Sequence, residues 1–442
     1  MLLSFTVENF KSFSERATLS LLARKSDRTL GGALIGEERG FSGKDRLLPA
    51  VAIYGANASG KTNLLLAFAY MRNAVRSSQT SWKGGSGTRF DANSQNKGRT
   101  GFFEATFQVR GVTYRYGFRV NDLVFEEEWL YSYPVGRERL LFKRTMISIE
   151  ENDPSFSGEW ELETGPTFSG EKRDHESSFR RTRENSLYLS AAAQDNQADC
   201  SIIERWFRSK VVAEIKLNLS TLDQGGTSLL AHKHSNFKSL LLPLLKAADP
   251  CIVDIIVRKE PSVDDEDFDQ KLRELAKKHK VSFIVASSDT RIEIPFEKQS
   301  RGIKRLYALA AGLITALKFG HLCIVDELET SMHPHVASQL LALFQNKSSN
   351  PRGSQLIFTT HETRLLNLQH LRRDQVWFCE RDSYGLSSLF SLIEFAPRKD
   401  ENFELGYLRG RYGAVPPAGI DPSWLSAIND EEISLNTEDE DA

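Results

Sequence analysis

The sequence is poor in the residues that mark special classes of protein. Its 442 residues hold four cysteines, Cys200, Cys251, Cys323 and Cys379, none of them in a CxxC pair. That spacing excludes a zinc hook or zinc ribbon and fits a reducing cytosol, so a cytoplasmic protein is expected. Cys323 lies inside an apolar run and reads as a core residue. Charge of one sign is also missing. Lys and Arg number 57 and Asp and Glu 59, a formal net charge of −2. No global field draws nucleic acid, and any DNA contact has to come from a local patch. Long apolar runs are absent too. The most apolar helix-like stretch, 306–317, is bounded by Arg305 and Lys318. It falls short of the about 20 residues that span a bilayer, so no membrane association is expected. The N-terminus MLLSFTVENFKSF alternates like a strand and lacks the apolar run of a signal peptide. No heptads are sustained long enough for a coiled coil, and no internal repeat is visible.

What is present is apolar material for a real core: 40% of residues are hydrophobic and 26% charged, ordinary for a globular chain. The length suggests two or three lobes. Residues 48–55 are a buried-strand run that leads into GANASGKT at 55–62. This fits G-x-x-x-x-G-K-[ST], a loop whose backbone N–H groups wrap a nucleotide's phosphates. Gly55 and Gly60 let the backbone approach closely, with Asn57, Ser59 and Asn63 alongside. Lys61 is placed to reach the β- and γ-phosphates of ATP, and Thr62 to coordinate Mg²⁺. The helical run at 63–75 supplies the strand–loop–helix context that separates this motif from a chance Gly-rich turn. Far downstream, LCIVDE at 322–327 is a strand ending in two carboxylates. Asp326 would hold Mg²⁺ and Glu327 would polarise the attacking water. A strand that merely ends in a solvated acidic turn is the lesser alternative. In all, 265 residues separate Lys61 from Asp326, a gap too wide for a compact P-loop enzyme.

The intervening chain changes period. Residues 102–165 alternate apolar and polar residues with turns at Arg110-Gly111 and Asn121-Asp122, which predicts an antiparallel meander. Residues 166–185 are polar and basic, and 186–247 read as mainly helical. A strand at 251–260, a charged helix at 266–280 and a hairpin at 281–296 follow. From 300 the pattern returns to α/β, with helices at 301–318 and 335–346 and strands at 321–326, 355–360 and 376–381. The tail from 430 is acidic and reads as disordered. EKQSRGIKRL at 297–306 places Ser300 and Gly302 at a helix start, as an ordinary cap or as something more. His361 ends a strand, where a histidine is usually structural. Lys11 reads as a basic group near the nucleotide or as a surface lysine. The cluster Lys172, Arg173, Arg180, Arg181 and Arg183 would suit phosphates, but neighbouring acids favour a solvated loop.

In their order these motifs resemble ABC-type ATPases of the SMC and OLD kind. The Walker A loop is followed by a long insertion, a signature, Walker B, a D-loop at 331–334 and a switch histidine. The resemblance implies that Ser300 and Gly302 face a nucleotide bound on a second subunit and that His361 senses the γ-phosphate. Gln108 sits on a strand and reads as an ordinary edge glutamine ahead of a Q-loop glutamine. The signature departs from LSGGQ in having SRG, with Ile303 where Thr is common. Over nearly the whole chain, MLLSFTVENFKSF, YGANASGKTN, ENSLYLSAAA, QSRGIKRL, DELETSMHP and YLRGRYGAVP are similar to a prokaryotic family of stand-alone ABC-type ATPases that includes the ATPase subunits of Rlo and AbiL abortive-infection systems. Related ATPases occur in PARIS and Septu defence. The resemblance implies a regulator of a partner effector, often a TOPRIM-like nuclease, in anti-phage defence.

The expected fold is therefore α/β, an ABC-type head interrupted by an inserted β-meander and helical lobe. Residues 1–80 and 286–395 would form the head's two halves, 81–185 the β-rich segment, 186–285 the helical lobe, and 396–442 a docking segment and acidic tail. The expected activity is ATP hydrolysis with Mg²⁺, coupled to homodimerisation through an ATP sandwich. An SMC-like ATPase acting directly on DNA ends and a slow-turnover, nucleotide-gated scaffold for an effector nuclease are the alternatives.

Overall fold

A strand covered on both faces needs an unbroken apolar run, and three such runs build the centre of this molecule. The structure is a computed structural model, described for residues 1–25, 27, 29–30, 33–36, 46–134, 136–149, 158–214, 225–259, 279–287, 290–367, 369–398 and 401–416. Of the expected helix at 266–280, only His279 and Lys280 are among the described residues, where they start a strand, and the tail from 430 lies outside them.

The chain begins with β1 (Leu2–Glu8) and β2 (Ala17–Ser20), then enters β3 (Ala50–Tyr54) and helix α1 (Lys61–Ser77). A meander follows: β4 (Gly101–Val109), β5 (Val112–Val120), β6 (Phe125–Tyr133), β7 (Arg139–Ile149) and β8 (Gly158–Thr164). Next come α2 (Lys172–Arg181), α3 (Tyr188–Gln194), α4 (Ala198–Ser209), β9 (Val211–Glu214), α5 (Gly225–Lys233) and α6 (Ser235–Lys246). Strands β10 (Ile252–Lys259), β11 (His279–Ser287) and β12 (Thr290–Pro295) precede α7 (Arg301–Phe319), β13 (Leu322–Val325), α8 (Pro334–Gln345) and β14 (Gln355–Thr359). The described chain closes with β15 (Val376–Arg381), β16 (Ser387–Ser391) and α9 (Phe403–Leu408).

The central sheet runs β16-β15-β3-β14-β13-β9. Its pairs from β15 to β9 are parallel, and β16 adds an antiparallel edge. Strand alternation divides the interior in two. Val51, Ile53, Ile324, Ile357 and Trp377 face one core, with α1, α3, α4 and the meander. Ala52, Tyr54, Val325, Phe358 and Phe378 face the other, with α6, α7, α8 and the small sheet β10-β11-β12.

The antiparallel sheet has the order β2-β1-β4-β5-β6-β7-β8. Strands from the first 20 residues and from 101–164 therefore share one hydrogen-bonded sheet, which crosses the expected boundary at residue 80. Its apolar face packs on α1, for example Phe5 on Phe68 with ring centroids 5.0 Å apart. Its outer face carries cross-strand ion pairs such as Arg119–Glu127 and Lys143–Glu127. Buried Glu128 reaches the start of α3 and accepts from Tyr188 N (2.6 Å) and Leu189 N (3.0 Å), so the ENSLYLSAAA segment is anchored structurally.

One helical expectation is corrected. SIIERWFRSKVVAEI reads as one helix, but α4 ends at Ser209, and Val211–Glu214 pairs in parallel with β13. β-Branched Val211 and Val212 prefer the extended ladder once an open sheet edge is beside them.

Candidate functional site

The parallel strands β3, β13 and β14 end together, and their C-terminal ends carry the polar groups. Register explains this meeting: β13 pairs Val325 with Phe358 of β14, and β14 pairs Thr359 with Ile53 of β3. The residues just beyond, Tyr54-Gly55, Asp326-Glu327 and Thr359-Thr360-His361, are therefore neighbours, although the first pair lies hundreds of positions from the other two in sequence. The crevice beyond the carboxyl ends of such strands is where α/β sheets take ligands.

The Gly-rich loop joins β3 to α1. Gly55 has φ +155°, and a Cβ there would lie 2.2 Å from Cys379 O. Gly60 has φ +110°, and a Cβ would lie 2.2 Å from Ser387 Oγ. Both positions thus require glycine, on steric as well as conformational grounds. Asn57 is exposed at the tip. Ser59 is buried, and its Oγ has no hydrogen-bond partner. The loop is braced from behind: Ser387 Oγ donates to Ser59 O (2.7 Å), and the Cys379 thiol donates to the same carbonyl (3.1 Å). Burial pushes that thiol up to about 12, so it stays protonated. Asn63 Nδ2 donates to Ser12 Oγ (2.8 Å), and Ser387 Oγ also approaches Ser12 Oγ (2.7 Å). Lys61 is folded back, its Nζ donating to Gly55 O (2.9 Å) and Ala56 O (2.8 Å). Burial lowers its pKa, while the carboxylates of Asp326 and Glu327 oppose that shift.

The distant acidic pair closes onto this loop. Thr62 Oγ1 donates to Asp326 Oδ2 (2.9 Å), and Thr359 Oγ1 donates to Asp326 Oδ1 (2.6 Å). Glu327 N donates to Thr359 Oγ1 (2.7 Å), and Glu327 Oε2 accepts from Thr330 Oγ1 (2.8 Å). Asp326 is buried and Glu327 exposed. Glu327 and Ser331 have φ of 49° and 63°, left-handed conformations for residues that carry a Cβ, as occurs at constrained functional sites. His361 N donates to Glu329 Oε1 (2.6 Å). Partial desolvation and then the Lys61 ammonium lower the His361 pKa, so its ring is neutral at neutral pH.

Ser300 caps α7, its Oγ accepting from Ile303 N (3.3 Å). Gly302 abuts the D-loop, where an added Cβ would lie 2.7 Å from Ser331 O. Both line a cleft of about 510 Å³ with Gln299, Ser331 and His333. The structure thus joins Gly55 to Asn63, Asp326, Glu327 and His361 in one constellation, and sets Ser300 and Gly302 on a separate cleft behind the acidic turn.

The residues fit a nucleotide with Mg²⁺. The glycine cradle leaves no room for a Cβ, an unsatisfied Ser59 hydroxyl sits in the loop, and Thr62 and Asp326 meet through the oxygens that a hard cation prefers. Among the described residues no group of three or more His, Cys, Asp or Glu forms a metal cluster.

Several supporting residues escape sequence reading. Thr359 and Ser387 carry no motif of their own, only TT in QLIFTT hinting at Thr359, while Arg305 and Ser12 lie inside QSRGIKRL and MLLSFTVENFKSF without a role that the motif itself declares. Other expectations change. Gln108 lies at the end of β4 beside Met1, its backbone N donating to Met1 O (2.7 Å). β4 runs antiparallel to β1, whose far end leads to Ser12 and the loop, so Gln108 is at the wrong end of the sheet for a Q-loop. Lys11 is paired with Asp91. The basic cluster is partly paired: Arg181 pairs with Asp195, Arg173 with Glu171 and Lys172 with Glu176, the three basic side chains staying largely exposed, while Arg183 donates to Ser78 O (2.7 Å). YLRGRYGAVP docks on its own head, with Tyr407 and Tyr412 stacked on Phe378. Among the described residues no helix is long and apolar enough to cross a membrane.

Comparisons with known proteins bear on the same region. Residues 50–367 match the family described as AAA domain, putative AbiEii toxin, Type IV TA system. A search of curated proteins returned no match. Among solved structures, the chain is similar to an SmcHead bound to the C-winged helix domain of ScpA, at 12% identity, with 88% of this chain and 97% of that one covered and a TM-score of 0.41. It is also similar to the SMC head domain from Thermotoga maritima, at 13% identity, with coverage of 88% and 98% and a TM-score of 0.37. A third similar structure is the Smc head domain with an extended coiled coil bound to the C-terminal domain of ScpA derived from Pyrococcus furiosus, at 12% identity, with coverage of 93% and 99% and a TM-score of 0.36.

Proposed function

The chain belongs to this AAA domain family, and we propose that it is an ATP hydrolase that works as a nucleotide-sandwiched homodimer and regulates a partner effector. The observation that supports this most is the continuous hydrogen-bond circuit Thr62–Asp326–Thr359–Glu327. It brings a phosphate loop, a cation ligand and an exposed carboxylate to one point.

On binding ATP, Lys61 exchanges its contacts with Gly55 O and Ala56 O for the β- and γ-phosphates. Thr62 and Asp326 would hold Mg²⁺, which would supply positive charge to the phosphate oxygens. Glu327 accepts a hydrogen bond from the attacking water and orients it toward the γ-phosphorus. His361, neutral and next to Lys61, is placed to sense whether the γ-phosphate is present. Ser300 and the N-terminus of α7 lie on their own cleft, so they serve a nucleotide presented by a second copy. Anions are favoured at such a helix start. Loss of the γ-phosphate then releases the pair.

The class of effector, a TOPRIM-like or other nuclease in anti-phage defence, follows from the sequence resemblance alone. Cytoplasmic location follows from the cysteine pattern. Lys172, Arg173 and Arg181 of the basic cluster are each paired with a carboxylate, which favours this reading over direct DNA binding. Single-turnover assays with radiolabelled ATP test the reading: Glu327→Gln should bind ATP and retain it unhydrolysed, and hydrolysis at the wild-type rate would show that Glu327 is not the base.

A further inference from the structure

Arg305 is an arginine with almost no surface. It is 4% exposed, and arginine is seldom buried unless its donors are met. Its Nη2 donates to Asp326 O (2.7 Å) and Glu327 O (3.1 Å). Those are the carbonyls of the two residues whose side chains face cation and water. Glu327 is thereby held on three sides. Its N–H meets Thr359, its carboxylate accepts from Thr330, and its carbonyl accepts from Arg305. This grip maintains a left-handed turn (φ 49°) that such a residue rarely adopts.

The same helix begins at Ser300, five positions earlier, or about 7.5 Å along the axis at about 1.5 Å per residue. Its next contact outward is Gly302 against Ser331 O, where a Cβ would clash at 2.7 Å. A helix of 19 residues moves as a stiff unit. A shift at its N-terminus is therefore delivered to the D-loop at Gly302 and to the Glu327 peptide at Arg305. From Ser331 the D-loop leads back through Glu329 to the His361 peptide.

We propose that Arg305 is a positioning residue that couples engagement of Ser300 by the partner's nucleotide to the orientation of Glu327 in its own site. Each site of the dimer then becomes competent only when the other is filled. This rests on the sandwich-dimer reading. The bistable element is the left-handed turn at Glu327, held while both carbonyl bonds are made and free to relax when α7 withdraws.

The test uses the full chain as Arg305→Met, Arg305→Lys, Glu327→Gln and Arg305→Met/Glu327→Gln, with Mg²⁺ and a fluorescent ATP analogue for affinity, light scattering for dimerisation, and phosphate release for turnover. Arg305→Met is expected to bind nucleotide within about 3-fold of wild type and to dimerise, yet to turn over about 30–100-fold more slowly, since a misplaced catalytic group costs about 100-fold per 1 Å. Arg305→Lys should recover part of the loss. The double variant should be no slower than Glu327→Gln alone, because Arg305 acts through Glu327. Turnover of Arg305→Met within 3-fold of wild type, or a further multiplicative loss in the double variant, overturns the proposal. If Arg305→Met does not fold, Arg305→Lys with and without Glu327→Gln makes the same decision. Absence of ATP-dependent dimerisation in the wild type instead overturns the sandwich reading itself.

Discussion

The two ends of the acidic turn are built in opposite ways. Toward the Gly-rich loop the chain is finished: Thr62, Asp326, Thr359 and Glu327 satisfy one another, and Ser12, Cys379 and Ser387 brace the loop from behind. Toward α7 it is open, since Ser300 and Gly302 line an exposed cleft of about 510 Å³. A self-sufficient hydrolase would bring all its phosphate-facing groups to one pocket. The separation of these two sets is why the site reads as half of a larger one.

Removing Lys61 should break the finished side outright. Lys61→Ala is expected to lower turnover by about 1000-fold or more and to abolish ATP-dependent assembly, because the loop loses the ammonium that would turn from Gly55 O and Ala56 O to the phosphates. Filter retention of labelled ATP checks the binding step. Glu327→Gln should lower turnover by about 100–1000-fold while leaving binding intact, which separates the loop's work from the carboxylate's.

The same contrast explains what could be read from sequence. Gly55 to Asn63 and Asp326-Glu327 were legible because each motif is local, and the need for glycine at 55 and 60 is imposed by backbone that packs on them. Thr359, Ser387 and Arg305 were not legible, because their roles arise from strand register and helix packing across hundreds of residues. Gln108 shows the limit of alternation, which reveals a strand but not its direction relative to the loop. Residues 211–214 were read as helix because SIIERWF has a helical period and the strand depends on an open sheet edge. The meander at 102–165 was legible, but its union with β1 and β2 was not, since pairing partners are not encoded locally.

The open side has a sharper test. Ser300→Asp preserves a good helix cap but sets a carboxylate against the expected phosphate. The melting temperature should stay within about 2 °C, as expected for a cap exchange worth a few tenths of a kcal/mol, while ATP-dependent dimerisation and turnover fall by about 10–100-fold. An ordinary cap would leave all three unchanged. On the finished side, Thr359→Val removes one acceptor for Glu327 N and one donor to Asp326. It should cost about 1–3 kcal/mol in chemical denaturation and lower turnover about 10-fold.

The smallest effect lies outside both regions. Burial, and then Lys210, push the His321 pKa down to about 4. Its unfolded value is near 6.5, so the folded state resists a proton that the unfolded state accepts. The contribution of His321 to stability is complete above about pH 6.5 and is lost as pH falls toward 4. Because the ring is only partly buried, the loss should be about 1–2 kcal/mol after discounting for solvent. His321→Asn should flatten that acid limb in denaturant titrations between pH 7 and 4.

The central claim, that one chain holds a finished half-site and an open half-site completed by a second copy, rests on assembly. Multi-angle light scattering of Glu327→Gln with Mg²⁺ and ATP, against the same protein with ADP, tests it most directly. The account predicts a stable dimer with ATP and a monomer with ADP, with the ATP-induced dimer lost in Ser300→Asp/Glu327→Gln. A mass that does not change with the nucleotide would contradict it.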